Sequence, residues 1–401
     1  MKILYTDFKE NLFNASAGGN RTLSLLNELS QLGVQIVFYS HTDKVSNSKA
    51  IIGSNQNYSN RSFNRLLSII KAWWHVFFSK YQHINVLEKI VVEEKPDIIW
   101  MKSETKLFRF LINNSIGKTV PLYLEQSEFL DLHRTQKSHV IRRWQLDREQ
   151  RFIEEKLLCK LSGLGLMTKT LFKHYSEGFG LGIPLLHIPM TVDLKRFDND
   201  NVPKPKEFKQ PYIAYVGVMN NIKDGINLLI QAFARISIDF SNHTLYLVGP
   251  WQPDTPGHLR QIETLGMQGR IEWMKTYSRE LIPAIMTNAE LLVLPRPDSK
   301  QAQGGFPTKL GEYLATGKPV CATTVGEIPE YLEDEVSVYF AQPGSVGSFE
   351  QAMQRALKSP QQSAVVGLKG RKVAEEKFNA SIQARKLKNY FEELLESHSK
   401  L

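Results

Sequence analysis

The feature that most constrains this chain is a local pattern that begins twice. An apolar run, KILYTDF, is followed by Gly18 and Gly19, by leucines at helical spacing from about Asn20 to Leu32, and, after Gly33, by a second apolar run, VQIVFYS. Far downstream YIAYVG starts the pattern again, with a helical stretch over 224–236 and then TLYLVG. Strand, glycine turn, helix and strand is the opening of a doubly wound parallel sheet, because a parallel return needs a crossover helix and a tight turn at the strand's carboxyl end. A chain of 401 residues exceeds one ordinary core and accommodates two such units. Between them DNDNVPKPKEFKQP is polar, rich in proline and without periodicity, as a linker would be.

The predicted division is an N-terminal Rossmann-like domain over 1–197, a linker over 198–211 and a C-terminal Rossmann-like domain over 212–380. An amphipathic helix over 381–401 is expected to pack back on the first domain. Further strands are expected at 97–102, 121–125, 164–169 and 185–190, then at RIEWM, LLVLP and PVCAT, with helices at 278–287, 308–316 and 327–333. The fold class is α/β, with two doubly wound domains facing across a cleft at the carboxyl ends of their strands, where such sheets bind ligands.

The formal charge of +9 favours an anionic partner: a phosphorylated substrate or an acidic membrane face. Nucleic acid is not expected, since no zinc-finger spacing, RNP-type aromatic motif or GXXG clamp in a suitable context is present. Cys159 and Cys321 are the only cysteines, too few for a disulfide framework or a zinc cluster, so the expected compartment is reducing and cytoplasmic. The N-terminal run is broken by Asp7, Lys9 and Glu10, and the apolar stretch 66–78 is shorter than the roughly 20 residues that cross a bilayer. No export signal or membrane span is expected.

The most informative stretch is QGGFPTKLGEYLATGKPVCATTVGEIPEYL, residues 303–332. Gly304 and Gly305 permit close backbone approach, Phe306 follows, and Pro307 presets a first helical turn. The amides of Thr308, Lys309 and Leu310 then open a helix. Such a terminus, with the Lys309 side chain beside it, suits a diphosphate, and Glu312 one turn on can accept from two vicinal hydroxyls of a ribose.

With IPMTVDLKRF (188–197), YVGVMNNIKDGINLLIQAFARI (215–236) and LYLVG (245–249), this stretch resembles glycosyltransferase family 4, the group 1 glycosyltransferases of GT-B fold that act with retention. The resemblance is strong from about 186 to 343 and extends to GGNRTLSLLNELSQLGVQIVFYS near the N-terminus. It implies transfer of a sugar from a nucleotide-sugar donor, bound by the C-terminal domain, to a glycan or lipid-linked acceptor held by the N-terminal one. Metal and cofactor are not expected: no Asp-x-Asp stands in a metal-binding context, and backbone amides and cations would stabilise the leaving group instead.

By the resemblance Glu312 is the ribose-binding second carboxylate of the E-x7-E motif. Gly304 stands where the first would be, a departure that puts contacts to the sugar hydroxyls in question, and Gln303 offers a different hydrogen bond. Lys223 matches a diphosphate-contacting lysine. The arginine that usually precedes it is replaced by Val218 and Met219, and Arg296 is the candidate substitute. Gly18, Gly19 and Gly217 are expected at the donor phosphates, together with Gly305, Phe306, Pro307, Thr308 and Lys309, and Tyr277 beside the base. Glu330 matches a family glutamate. Glu125, with Gln126 and Glu128 as neighbours, is the candidate for orienting the acceptor hydroxyl. Two other readings remain: a non-hydrolysing nucleotide-sugar epimerase, which would need further carboxylates and a histidine, and a non-catalytic nucleotide-sugar sensor, which Gly304 suggests.

Over 61–84 aromatic and aliphatic residues share one helical face, and Arg61, Arg65, Lys71 and Lys80 lie on or flank the other with no acid among them. That composition suits either a helix on the N-terminal sheet or one lying in an anionic membrane surface. The second would place the protein on the inner face of the cell membrane and make it part of surface-polysaccharide or glycolipid assembly.

Overall fold

A computed structural model describes residues 1–7, 17–40, 48–52, 87–101, 111–112, 116–129, 140–198 and 206–399. The segment 61–84 lies outside these residues. The chain divides into two compact units: Met1–Met167 with Leu171–Ile188 and Ala384–Leu401, and Thr168–Thr170 with Pro189–Gln383.

The N-terminal unit is built on β1 (Lys2–Asp7), β2 (Gln35–Ser40), β3 (Ser48–Ile52), β4 (Ile98–Met101), β5 (Leu122–Gln126), β6 (Gly163–Leu166) and β7 (Leu185–His187). Their order is β3-β2-β1-β4-β5-β6-β7, parallel throughout except that β3 returns antiparallel beside β2. The sequence does not signal β3. Gly18 and Gly19, expected in the turn after β1, fall within the first turn of the helix Ala17–Gln31.

One face of this sheet is packed by the closing helix Ala380–His398. Its Ala384, Leu387, Tyr390, Phe391 and Leu394 are buried in one cluster with Ile3, Tyr5, Trp100 and Tyr123. The Phe391 ring stands edge-on to Tyr123 at 4.9 Å and to Trp100 at 6.1 Å. Gly163 and Gly165 make room for these rings: a Cβ would meet the Tyr390 hydroxyl at 2.4 Å and the Tyr123 hydroxyl at 1.9 Å, respectively.

The C-terminal unit holds β8 (Tyr212–Val216), β9 (Thr244–Val248), β10 (Ile271–Met274), β11 (Leu291–Leu294), β12 (Val320–Thr323) and β13 (Tyr339–Ala341), all parallel in the order β10-β9-β8-β11-β12-β13. The order reverses between β8 and β11, so the loops leaving those strands diverge and open a ligand crevice at their carboxyl ends. The crossover helix Ile226–Ile236 buries Ile226, Leu229, Ile230, Phe233 and Ile236, a helical stripe set against the sheet.

The contact boundary lies at Ile188–Pro189, ahead of the polar segment 198–211. The reason is backbone pairing. Val192 N–H donates to the Phe378 carbonyl at 2.8 Å, and Ala380 N–H donates to the Val192 carbonyl at 3.0 Å, which ties 189–197 to the C-terminal unit.

Candidate donor site

The helix Thr308–Ala315 is the centre of the candidate site. Gly305 is extended, Pro307 sits at the helix entrance with φ −72°, and Leu310 N–H closes on the Pro307 carbonyl at 3.0 Å. Leu310 is therefore committed, and the amides of Thr308 and Lys309 stand ahead of that first bond. Phe306 is buried against Phe378 at 5.2 Å and Tyr331 at 5.6 Å, so it anchors the entrance.

The helix is locked to the end of β8. The Tyr313 hydroxyl accepts from Val216 N–H at 2.7 Å and donates to the Val216 carbonyl at 3.1 Å. On its other side Gly311 brings the helix close to Met190, since a Cβ would fall 1.8 Å from Met190 Cε.

Lys309 turns under the loop that leaves β8. Its ammonium donates to Asp224 and to the Tyr215 hydroxyl and stands 4.7 Å from the Tyr215 ring centroid. A Cβ on Gly217 (φ +147°) would meet Lys309 Cε at 2.5 Å, so glycine is needed there for both space and backbone. Burial pushes the Lys309 amine below its ordinary value; Asp224 partly restores it, while Arg296 and Lys223 oppose it with like charge. The same burial, with the Asp224 charge, raises the Tyr215 phenol.

Lys223 is exposed on the short turn Asn221–Asp224, whose start is capped by the Asn220 side chain accepting from Ile222 and Lys223 N–H. Gly225 (φ +68°) presses this turn on the loop after β11: a Cβ there would lie 2.1 Å from the Pro295 carbonyl oxygen. Arg296 follows Pro295 and donates to the Gln301 carbonyl at 3.4 Å. Lys223, Arg296 and Lys309 thus gather where the strand order reverses, with Asp224 among them. Cations gathered at such a point suit a polyanion.

Glu312 lies one turn beyond Lys309. Arg196 Nη1 donates to its Oε1 at 2.6 Å, and Arg196 Nη2 donates to the Arg279 carbonyl at 3.2 Å. Tyr277 is almost fully buried, its ring 5.6 Å from that of Phe208 and its hydroxyl donating to Glu207 at 2.8 Å. Burial, with that carboxylate, raises its phenol. Around the position of the missing carboxylate, Thr168 Oγ1 donates to the Gly304 carbonyl at 3.0 Å, and Gln303 donates to Asp298 at 2.7 Å. Buried Glu327 accepts from Thr170 N–H at 2.7 Å, and Glu330 pairs with Lys169 at 2.6 Å.

Gly18, Gly19 and Glu125 belong to the N-terminal unit. Glu125 is paired there with Arg21, which also donates to the Ile188 carbonyl at 3.2 Å. The residues that sequence reasoning left without a role are Asp224, Tyr215, Arg196 and Arg21. KDG and DLKRF place the first and third beside noted positions, but neither reveals its partner.

Residues 210–359 match the family described as glycosyl transferases group 1. The matched stretch lies within the C-terminal unit. A curated relative, the MMP alpha-(1->4)-mannosyltransferase of Mycolicibacterium hassiacum, is 27% identical over 203 residues, 50% of this chain. The match spans about half of that relative's length, 46%. Sucrose-phosphate synthase from Thermosynechococcus elongatus superposes with a TM-score of 0.75 at 16% identity, covering 99% of both chains. The Anabaena protein HepE, solved in complex with UDP, gives 0.65 at 15% identity over 98% of this chain and all of its own. At these identities the likeness is one of fold, and the fold is GT-B. Among the described residues no group of three or more His, Cys, Asp or Glu could hold a metal ion, and no helix is long and apolar enough to cross a membrane.

Proposed function

We propose that this chain is a retaining glycosyltransferase that moves a sugar from a nucleotide-sugar donor to a hydroxyl of a glycan or lipid-linked acceptor. One observation carries the reading: three cations gather at the switch point of a group 1 glycosyltransferase domain, beside a helix that presents Glu312 one turn in. The diphosphate would meet Lys223, Arg296 and the amides of Thr308 and Lys309, with the Lys309 side chain acting as the strut beneath them. Glu312 would hold the ribose.

In the reaction the acceptor hydroxyl oxygen bonds to the anomeric carbon as the bond to the diphosphate oxygen breaks. The leaving phosphate takes the hydroxyl proton, and the new bond forms on the face the leaving group vacates. Negative charge grows on the diphosphate, so cations and fixed amides lower the barrier by stabilising it more in the transition state than in the ground state. That chemistry asks for no metal or cofactor. Glu125 is the proposed acceptor-side residue.

UDP- and GDP-sugars are the first donors to try: HepE has been solved in complex with UDP and with UDP-glucose, and the curated relative is a mannosyltransferase. A thermal-shift panel of UDP-, GDP- and ADP-sugars, followed by transfer assays with and without EDTA, tests the proposal. One donor should raise the melting temperature and be turned over with EDTA present. Binding without transfer or hydrolysis would favour a sensor, which Gly304 in place of a carboxylate keeps open. Loss of activity on chelation, restored by magnesium, would overturn the metal-free reaction.

The basic aromatic segment 61–84 supports the further proposal of a cytoplasmic protein docked on an anionic membrane, serving surface-polysaccharide or glycolipid assembly. It predicts sedimentation with anionic but not neutral vesicles, weakened by salt.

A further inference from the structure

The Arg196 side chain joins two parts of the candidate nucleoside site. It rides on the turn Leu194–Phe197, whose start is fixed by Asp193 accepting from Lys195 N–H at 3.2 Å and whose end is pinned by buried Phe197. From there one guanidinium nitrogen holds Glu312 Oε1 and the other holds the Arg279 carbonyl, in the loop that carries Tyr277. Arg196 and Glu312 remain 14% and 16% exposed, so the pair is neither sealed in the core nor fully solvated. The Arg279 guanidinium stands close by, its pKa lowered by burial and then by the Arg196 charge.

A carboxylate one turn into a helix can sample several rotamers, and an unheld one would be free to swing towards any of the neighbouring cations. A planar guanidinium that grips one oxygen fixes the rotamer and directs the carboxylate's remaining acceptor capacity. We propose that Arg196 is the positioning residue for ribose recognition: it sets the Glu312 carboxylate and the Arg279 loop in one register, and so determines selection of ribonucleotide over 2′-deoxyribonucleotide donors. This rests on the reading of Glu312 as the ribose ligand.

The test is binding, not turnover. UDP, GDP, ADP and their 2′-deoxy counterparts are titrated calorimetrically into the wild-type chain, Arg196→Met and Arg196→Lys, and the melting temperature of each nucleotide-free protein is recorded. In the wild type, loss of one hydroxyl bonded to a carboxylate should weaken binding roughly tenfold or more. In Arg196→Met the ratio between ribo and deoxy forms should fall below about threefold, through loss of ribonucleotide affinity. Arg196→Lys keeps the charge but not the two-pronged grip, so it should restore little of the ratio. Undiminished discrimination in either variant would overturn the role of Arg196 and leave the ribose reading intact. If the wild type does not discriminate, or binds none of these nucleotides, the ribose reading falls and takes this inference with it. If Arg196→Met does not fold, the ratio measured in Arg196→Lys decides.

Discussion

The two units of this chain share an architecture and treat charge in opposite ways. In the N-terminal unit Arg21 and Glu125 form an ion pair with side chains 3% and 11% exposed, and Arg21 spends a further donor on the Ile188 carbonyl. In the C-terminal unit Lys309 is neutralised by Asp224, while Lys223 stays exposed and Arg296 half-buried at the point where the strand order reverses. The difference teaches where to look for chemistry in a doubly wound sheet. A buried pair is an element of the fold, whereas cations placed at the strand ends of a switch point suit a ligand of the opposite sign.

The largest effect should come from the balanced pair. Arg21→Met leaves Glu125 buried without its cation and should destabilise the fold by about 3 to 5 kcal/mol, while Arg21→Met with Glu125→Met should recover much of the loss. Denaturant unfolding measures both. Glu125→Gln separates this role in the fold from the proposed acceptor-side one: turnover lost at unchanged stability would place Glu125 at the acceptor hydroxyl as well, and unchanged turnover would leave it to the fold alone.

Lys223→Ala should behave in the reverse manner. Stability should hardly change, while kcat falls by roughly 10² to 10³, or about 2.7 to 4 kcal/mol, with a smaller change in donor affinity. A parallel loss of melting temperature would make Lys223 a fold residue and blur the comparison.

The smallest effect is at Glu327. Burial holds its carboxyl above the ordinary carboxylate value, so the folded chain binds that proton more tightly than the unfolded one. The stability this contributes is fully present below the ordinary value of 4.5 and is lost as pH rises through the raised one. Glu327→Gln keeps an acceptor for Thr170 N–H and carries no charge. It should match the wild type in stability near pH 4 and exceed it at pH 8. A difference independent of pH would contradict this.

Much of the fold was legible because its signals are local. The run YIAYVG, the stripe in Ile226–Ile236 and the entrance Gly305-Phe306-Pro307 each specify their structure within a few residues, and the last fixes the helix that carries Glu312. β13 has only the length of Tyr339–Ala341, and β3 is a short run set among polar residues, so neither gives a periodicity to read. The pairings were illegible for a different reason. Arg196 and Glu312 are 116 residues apart and Lys309 and Asp224 are 85 apart, and only the packed sheet brings them together. Lys309 read as a phosphate ligand because helix termini invite one; its side chain instead turns under Gly217, where glycine leaves it room.

The most direct test of a ribose-binding Glu312 is calorimetric titration of the favoured nucleoside diphosphate into the wild-type chain and Glu312→Ala, with the melting temperature of each. Two hydrogen bonds to a charged carboxylate, at about 1.5 to 3 kcal/mol each, predict at least a hundredfold loss of affinity in a variant that still melts cooperatively. Unchanged affinity in a folded Glu312→Ala would contradict the assignment of the site.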